Sequence, residues 1–448
     1  MEHHDIIVGL DIGTTKICAI VGRMTAHGKV EVLGMGKADS LGVMRGVVAN
    51  IDKTVQAISQ AVEEAQLNSK QQIGKVFVGI AGQHIKSLQH RGILTRERYD
   101  EEIGRGDVQK LISDMYRLVL PPGDRIIHVL PQEFIIDNEQ GIKDPIGMSG
   151  IRLEANFHII SGQITAAQNI NKCVEKAGLT VADLILEPLA SSASVLSEEE
   201  KEAGVALVDI GGGTTDIAIF QDGIIRHTAV IPFGGNIITE DIKEGCLIMR
   251  NQAEQLKIRF GSAFAIETQE NEIVSIPGLR GREPKEISIR NLAHIIQARM
   301  EEILEQVYFE IKSSGFEKKL IGGIVLTGGG SQLKHLVQLV EYVTGMDARV
   351  GYPTEHLAKS PVAEIKNPMY ATGIGLIIKG YEELKNAGQL ASQQQKKKAV
   401  VEAVAEDTMV AEPEVEMHTE PQEQRPRWWE SLFKKGREWL EEDAEDFK

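Results

Sequence analysis

The chain has 448 residues, of which 42% are hydrophobic and 25% are charged, and its formal net charge is −16 at pH 7. This composition suits a soluble globular protein with more than one domain, and the acidic balance argues against nucleic acid as a partner. Cys18, Cys173 and Cys246 are scattered, which fits a reducing compartment without a disulfide framework or zinc site. The N-terminus lacks signal-peptide features and no apolar run is long enough to span a bilayer, so we expect a cytoplasmic protein.

Strand-like apolar runs alternate with helical periodicity from residue 6 to about residue 380, which predicts an α/β fold. Residues 6–23 read as two strands around a Gly-Thr turn. Residues 50–68 read as a helix, with Asp52 as a candidate N-cap. Residues 84–162 change in character and predict a small β/α module inserted into the first domain.

The composition shifts abruptly near residue 386. Residues 386–424 contain no aromatic residue and no usable apolar period, which predicts a disordered linker. A short segment, 425–442, follows the linker and carries every tryptophan of the chain. Tryptophan normally supplies core or interface area, so this placement needs a functional explanation.

Two segments of the chain repeat one another. VGLDIGTTK (8–16) and LVDIGGGTTD (207–216) each contain an apolar strand, Asp-Ile-Gly and Thr-Thr. The repeat predicts two related domains whose hairpins face one another. The alternative is that each segment is only a glycine-rich β-hairpin.

The residue types of this repeat suit a polyphosphate with its metal ion. Glycine lets the backbone approach a ligand closely, and successive N–H groups can form an anion-binding nest. Threonine hydroxyls and Lys16 add further donors and positive charge. Asp11 and Asp209 would repel phosphate but can hold Mg²⁺ or its waters. A P-loop is excluded because its sequence pattern is missing.

A third glycine-rich turn, LTGGGSQL (326–333), follows a predicted strand and is expected to open a helix. A close backbone approach at a helix N-terminus suits the adenosine side of a nucleotide site.

These elements together resemble the superfamily of actin, sugar kinases and heat-shock chaperone ATPases. DIGTTK (11–16) and VDIGGGTTD (208–216) resemble its two phosphate hairpins, and LTGGG (326–330) resembles its adenosine motif. EPLASS (187–192) and YATGIGLI (370–377) resemble its two connecting helices. The resemblance implies an actin-like two-lobed ATPase fold.

Within the superfamily, the sequence resembles the FtsA family of bacterial cell-division proteins. Segments 128–137 and 141–162 are similar to the small subdomain that FtsA carries inserted in its first lobe, and segments 234–242 and 253–261 are similar to FtsA and to the shape-determining actins. The predicted organisation is a first lobe (1–83 and 163–197), an inserted subdomain (84–162), a second lobe (198–238 and 301–385), a second-lobe subdomain (239–300), a linker (386–424) and a terminal amphipathic helix (425–442).

The resemblance also implies roles for individual residues. Asp11 and Asp209 would lie near Mg²⁺ and its waters, and Glu187 would orient the attacking water; Asp11, Asp209 and Glu187 are thus the catalytic candidates. The residues expected to contact the nucleotide are Gly13, Thr14, Thr15, Lys16, Gly211, Gly212, Gly213, Thr214, Gly235, Glu254, Lys257, Gly328, Gly329 and Gly330. Glu187 could instead be a helix N-terminal charge, and Glu254 with Lys257 could be a surface i,i+3 pair.

The terminal segment predicts a helix that lies in a membrane interface. At 100° per residue, its apolar side chains fall within an arc of about 140°, and basic residues lie outside that arc. The predicted membrane contacts are Arg427, Trp428, Trp429, Leu432, Phe433, Lys434, Lys435, Trp439 and Leu440. The alternative is a helix that docks on a partner protein or on the folded domains.

The family resemblance implies an ATP-binding protein that polymerises with itself and tethers the tubulin-like polymer FtsZ to an anionic membrane. Such a protein would be peripheral on the cytoplasmic side of the cell membrane, at the division septum, in contact with other division proteins and with at most slow ATPase activity. Arg280, Arg282, Lys285 and Arg290 are the candidate contacts for the FtsZ C-terminal peptide. The alternatives are another actin-like filament, for shape determination or partitioning, or a small-metabolite kinase.

Overall fold

The computed structural model describes residues 6–96, 101–269, 271–278, 283–358, 360 and 362–386. All of them belong to one compact unit, Met1–Ala387. The predicted linker and terminal helix lie outside the described residues.

The strands of the described residues run in chain order as β1 Ile7–Ile12, β2 Lys16–Met24, β3 Val30–Asp39, β4 Val43–Met44, β5 Val47–Val48, β6 Lys75–Ile80, β7 Lys86–Thr95, β8 Asp124–Ile136, β9 Glu139–Ile142, β10 Arg152–Gln163, β11 Thr180–Leu186, β12 Val205–Ile210, β13 Thr215–Gln221, β14 Ile224–Ile231, β15 Ile273–Ile276, β16 Lys285–Ser288, β17 Ile324–Thr327 and β18 Ala348–Val350.

The α-helices are α1 Ile51–Ser69, α2 Arg105–Met115, α3 Ile164–Lys176, α4 Glu187–Val195, α5 Glu198–Ala203, α6 Gly235–Cys246, α7 Arg250–Phe260, α8 Ile289–Ser313, α9 Leu336–Thr344 and α10 over 371–386. Short 3₁₀ turns cover Ala265–Glu267, Glu317–Lys319, Gly329–Gln332, Ala363–Lys366 and Pro368–Tyr370.

Two five-stranded sheets share one topology. The first has the order β3-β2-β1-β6-β11, and the second has the order β14-β13-β12-β17-β18. In each sheet the first three strands are antiparallel neighbours and the last three are parallel neighbours. Strands β1 and β12 are buried along their whole length because helices cover both faces of their sheets. The duplicated topology accounts for the repeat seen in the sequence.

The N-cap of helix α1 lies two residues before the one expected from the sequence. Asn50, not Asp52, is its N-cap, and the Asn50 side chain accepts a hydrogen bond from the backbone N–H of Lys53. Asp52 lies in the first turn, where its carboxylate still faces the positive end of the helix dipole. Both residue types favour caps, so composition alone does not separate them.

The inserted module is a four-stranded antiparallel sheet with the order β7-β10-β8-β9. Helix α2 covers one face, and Leu111 and Met115 of this helix join Phe157 of β10 in a separate small core. Gly92 lets the helix approach the sheet, because a Cβ at this position would lie 3.0 Å from Met115 and 3.1 Å from Leu111 of α2. The opposite face of this sheet is turned toward the second five-stranded sheet.

Candidate functional site

A cleft of about 510 Å³ lies between the two five-stranded sheets. The residues that the sequence predicted for nucleotide and catalysis all line it: Asp11, Gly13, Thr14, Thr15, Lys16, Glu187, Asp209, Gly211, Gly212, Gly213, Thr214, Gly235, Glu254, Lys257, Gly328, Gly329 and Gly330. They come from both hairpins, from α4, α6 and α7, and from the turn after β17. The chain therefore folds these separate motifs into one site.

The two hairpin tips contact each other across this cleft. A Cβ at Gly212 would collide with Oγ1 of Thr15, and a Cβ at Gly213 would lie 2.6 Å from Oγ1 of Thr14. The glycines of the second hairpin thus make room for the threonines of the first. Side chains on both tips would hold the hairpins apart.

The two hairpins share one register, and it differs from an alignment of their Thr-Thr pairs by two positions. Asp11 pairs with Cys18 in the first hairpin, and Asp209 pairs with Asp216 in the second. Lys16 therefore occupies the place of Thr214, and the Thr-Thr pairs are not structural equivalents. The sequence repeat is correct for the aspartates and for the turn, but the matched threonines are a coincidence of spacing.

Besides Glu254, which is paired with Lys257, four carboxylates line the cleft: Asp11, Glu187, Asp209 and Asp216. Burial raises the pKa of each, most of all that of Glu187, which is well above its usual value. Repulsion by neighbouring carboxylates adds to the rise at Glu187, Asp209 and Asp216, whereas Lys16 opposes the rise at Asp11. The pKa of Asp216 is raised to about 8 by burial and by Asp209. This excess of buried negative charge favours a cation in the cleft.

Asp209 is held by hydroxyls of both connecting helices. Ser191 of α4 donates to Oδ2 of Asp209 at 2.6 Å, and Thr372 of α10 donates to the same oxygen at 3.4 Å. The two helices cross closely here, since a Cβ at Gly375 would collide with the Ala190 carbonyl. The orientation of this carboxylate is therefore tied to the crossing of the two helices.

Lys16 does not point freely into the cleft. Its ammonium donates to the carbonyl of Met369 at 2.7 Å, lies 3.6 Å from Asp11 and stands 4.6 Å from the centre of the Tyr370 ring. Burial acts to lower the pKa of Lys16, but Asp11 and neighbouring groups outweigh it, so the pKa is raised and the amine stays charged. Met369 lies in the 3₁₀ turn that directly precedes α10, so this lysine links the first hairpin to the start of that helix.

Glu254 and Lys257 form the i,i+3 ion pair that was the alternative interpretation, with a separation of 2.8 Å, and both also line the cleft. The Lys257 ammonium donates to the Gly235 carbonyl and to Oγ1 of Thr239, each at 2.8 Å. The pair therefore fastens α7 to the start of α6, where Gly235 N–H donates to the Gly211 carbonyl at 2.9 Å.

The glycine-rich turn differs from the expectation that it opens a helix directly. Gly329–Gln332 form a 3₁₀ turn, and α9 begins only at Leu336. Gly328 has a φ of 82°, and a Cβ there would collide with Asp209. Glycine is required at this position because the turn packs directly on the acidic cluster.

Glu187 is the first residue of α4, which satisfies the helix N-terminal alternative, and it also lines the cleft. Sequence reasoning missed Asp216, Ser191 and Thr372 as parts of the site. Each stands inside a motif that the sequence singled out, so their polar side chains within otherwise apolar segments were the available signal.

Comparisons with known proteins decide the family. The profile described as "Cell division protein FtsA" matches residues 206–375, and the profile described as "SHS2 domain inserted in FTSA" matches residues 82–161. The Cell division protein FtsA of Pseudomonas aeruginosa is 44% identical over 378 residues, covering 84% of this chain and 90% of that protein. The chain belongs to the FtsA family of cell-division proteins.

Other FtsA relatives and solved structures agree with this assignment. FtsA of Escherichia coli K12 is 37% identical, covering 85% of this chain and 91% of that protein. The structure "PilM-PilN type IV pilus biogenesis complex" matches with a TM-score of 0.61 at 15% identity, covering 84% of this chain and 98% of that one. MreB5 of Spiroplasma citri bound to ADP matches with a TM-score of 0.52 at 13% identity, covering 86% and 98%. The fold is the actin-like fold that the sequence predicted, with the inserted FtsA subdomain.

Of the residues predicted to contact the FtsZ peptide and the membrane, only some are among the described residues. Lys285 begins the exposed strand β16, and Arg290 lies in the first turn of α8. Arg280, Arg282 and all the predicted membrane contacts lie outside the described residues. Among the described residues, no helix is long and apolar enough to cross a bilayer.

Proposed function

We propose that this FtsA-family chain binds ATP with Mg²⁺ in the cleft between its lobes. The observation that carries this proposal is the convergence of all the predicted nucleotide residues on one cleft of about 510 Å³. That volume lies within the usual range of small-molecule and cofactor sites. We also propose the boundaries of the lobes and subdomains as they were predicted from the sequence.

The acidic cluster fits a magnesium ion. Within the part of the chain that the structure describes, Oδ1 of Asp216 is buried without a hydrogen-bond partner, and Oδ2 accepts from the Thr214 hydroxyl at 3.0 Å. Among the described residues, no three acidic, histidine or cysteine side chains converge tightly enough to ligate an ion directly. Asp11 and Asp209 would therefore hold Mg²⁺ through water, and the ion would neutralise phosphate charge.

The two hairpins would grip the phosphates. Gly13, Gly211–Gly213, Thr14, Thr15 and Thr214 line the cleft. Their hydroxyls and backbone N–H groups would contact the phosphates, except the N–H of Gly211, which donates to the Thr214 carbonyl at 2.9 Å. Lys16 would contribute charge after leaving the Met369 carbonyl. Gly235, Glu254 and Lys257 lie where the ribose would bind, and Gly328–Gly330 would pack against adenosine.

Hydrolysis is proposed to be slow at most. Glu187 would orient the attacking water, but burial raises its pKa and so disfavours the ionised form in the nucleotide-free cleft. In-line attack also needs close alignment of the water with the terminal phosphate. Glu187 and Asp209 would serve this positioning, with Asp11 fixing the hydrated ion.

The cellular role proposed is a nucleotide-dependent tether at the division septum. The chain would polymerise, bind the C-terminal peptide of FtsZ near Lys285 and Arg290, and attach to anionic lipid on the cytoplasmic side through residues 425–442. Membership in the FtsA family supports this role. One amphipathic helix binds weakly, and a polymer that displays many of them binds by avidity.

Two measurements test the proposal. Calorimetric titration with ATP should show binding that weakens when EDTA removes Mg²⁺, and no binding in either condition would refute the nucleotide site. Flotation with anionic vesicles should carry the full chain, while a chain ending at residue 424 stays behind. If both chains float equally, residues 425–448 are not the membrane anchor.

A further inference from the structure

The inserted sheet is joined in sequence to the first lobe but docks on the second. The strand it meets is β14, which pairs with β13 and is the edge of the second sheet within the described residues. An edge strand presents unpaired backbone groups on its outer side. In this chain, side chains of β7 and β8 donate hydrogen bonds to three carbonyls of β14.

Three side chains of the inserted sheet donate to carbonyls of β14. Gln132 Nε2 donates to the Ile225 carbonyl at 2.7 Å, Gln89 Nε2 to the Arg226 carbonyl at 3.1 Å, and Ser87 Oγ to the Thr228 carbonyl at 3.1 Å. Leu130 of β8 adds an apolar contact with the second-lobe cluster. Side-chain donors spaced along two strands thus follow the edge of β14.

A buried histidine completes the contact. Gln89 Nε2 must be the amino group because it donates to a carbonyl, so Nδ1 of His158, at 3.1 Å from it, accepts. The proton of the neutral ring is then on Nε2, which donates to Oγ1 of Thr228 at 3.0 Å. His158 is only 1% exposed, so this arrangement is sheltered from water.

Strand β8 also contacts the first lobe. Nε2 of His128 accepts a hydrogen bond from the N–H of Leu186 at 3.1 Å, and Leu186 directly precedes Glu187 in the cleft. His128 and Gln132 are on the same strand, so β8 is bonded to both lobes within a few residues. At the surface, Lys143 pairs with Glu202 of α5 at 3.3 Å.

We propose that the inserted subdomain is an internal brace, which bridges the two lobes behind the cleft and slows the opening that releases nucleotide. Relative rotation of the lobes has to break the bonds between β14 and Gln89, Gln132 and His158, or strain the bond between His128 and Leu186. The effect on nucleotide release rests on the proposed ATP binding. The docking itself does not depend on it.

The experiment uses the full chain carrying Gln89→Ala and Gln132→Ala together, with Gln140→Ala as the matched control. Gln140 is an exposed residue of β9 on the same sheet. Deuterium uptake of the nucleotide-free protein over residues 224–231 should rise by roughly two- to tenfold for each bond removed, with the control unchanged. Unchanged uptake in the double variant would overturn the docking.

Release of a fluorescent ATP analogue separates a brace from simple packing. The double variant should release the analogue at least about threefold faster than wild type and the control. Faster uptake with an unchanged release rate would overturn the brace. Wild-type protein that binds no analogue would refute the proposed function, and uptake over 224–231 would still decide the docking. If the double variant does not fold, Gln89→Ala alone gives the same comparison.

Discussion

The hydroxyl of Ser191 donates to the Asp209 carboxylate at 2.6 Å, which joins the first connecting helix to the second phosphate hairpin. This bond favours the ionised form of Asp209, whereas burial disfavours it. A buried carboxylate that holds a hydrated cation must be ionised, and burial destabilises that form. A hydrogen-bond donor such as Ser191 offsets this effect. Ser191 is therefore a positioning residue for the proposed metal site.

Replacing Ser191 with alanine should weaken Mg-ATP binding. Loss of a hydrogen bond to a charged group costs roughly 1.5–3 kcal/mol, and here the cost falls on the ionised form of Asp209. We expect Ser191→Ala to lower affinity for ATP in Mg²⁺ by about tenfold or more, with a smaller effect in EDTA. Titration calorimetry in both conditions measures the difference.

Ser192→Ala is the matched control for this prediction. Ser192 is buried next to Ser191, but its hydroxyl donates to the Leu189 carbonyl in its own helix. Equal losses of affinity in the two variants would show that the effect is general loosening of α4, and the role assigned to Ser191 would be wrong.

The stability of the nucleotide-free protein should depend on Asp216. Its pKa is raised to about 8 in the folded protein, from a usual value near 3.8, so the folded state retains a proton that the unfolded state loses. The contribution of Asp216 to stability is therefore present below about pH 4 and is lost as the pH rises toward 8. Asp216→Asn cannot ionise and should escape this loss.

Thermal unfolding of wild type and Asp216→Asn between pH 5 and 8.5 measures the effect. We expect the melting temperature of the variant to rise relative to that of wild type as the pH rises. Saturating Mg²⁺ with ATP should make this change with pH smaller. Parallel curves would mean that Asp216 is already ionised in the free protein.

Contact between the two hairpins should make Gly212 intolerant of a side chain. A Cβ would force Thr15 out of its position, and overpacking of this kind typically costs about 1–3 kcal/mol. Gly212→Ala should lower the free energy of unfolding by this amount and weaken ATP binding. Gly74→Ala is the control, since a Cβ there has no neighbour within 4 Å.

Removal of the colliding hydroxyl tests the cause. The double variant Gly212→Ala with Thr15→Ala should recover most of the free energy of unfolding that Gly212→Ala loses. Additive losses in the two single variants would place the strain elsewhere in the hairpin.

Much of this site could be predicted because its residues stand inside short local motifs. The glycine runs 211–213 and 328–330 stand out in the sequence and predict a close backbone approach, although the contacts that require Gly212 and Gly213 are made with the other hairpin. The two-position offset between the Thr-Thr pairs could not be predicted, since it depends on which residues pair across each hairpin. The same is true of Lys16, whose bond to the Met369 carbonyl joins positions far apart in the chain.

The docking of the inserted sheet on β14 could not be predicted from the sequence either. Gln89, Gln132 and His158 are polar residues at strand positions, and their pattern is compatible with a solvated sheet face. Only the three-dimensional path of the chain shows that this face meets β14. The resemblance to the FtsA family indicated the insertion but not its contacts.

The docked histidine predicts a pH dependence opposite in sign to that of Asp216. Burial, and then repulsion by His227, lowers the pKa of His158 to about 4, from a usual value of 6.5. The unfolded state therefore binds a proton that the folded state excludes between these values. The stability that His158 contributes is fully present above about pH 6.5 and is lost as the pH falls toward 4.

Comparison of wild type with His158→Gln isolates this contribution. Near neutral pH the variant should be less stable by about 1–2 kcal/mol, because the bonds to Gln89 and Thr228 are disturbed. Chemical denaturation at pH 7.5 and at pH 5 should show that the difference in the free energy of unfolding becomes smaller in acid. Only wild type loses stability there, because its folded state keeps the ring of His158 neutral. His128 is present in both proteins, so its own lowered pKa cancels.

The groups around His158 set the control for this experiment. His227 of β14 lies beside it and contacts Glu310 of α8 at 3.2 Å, so His227→Gln tests whether the repelling neighbour matters. That variant should raise the pKa of His158 and move the loss of stability to higher pH. His90→Gln removes an exposed histidine from β7 and should follow wild type. The difference in the free energy of unfolding between wild type and His158→Gln could instead stay constant from pH 7.5 to pH 5. That result would show that the ring is not held neutral, and the donors and acceptors assigned across Gln89, His158 and Thr228 would be wrong.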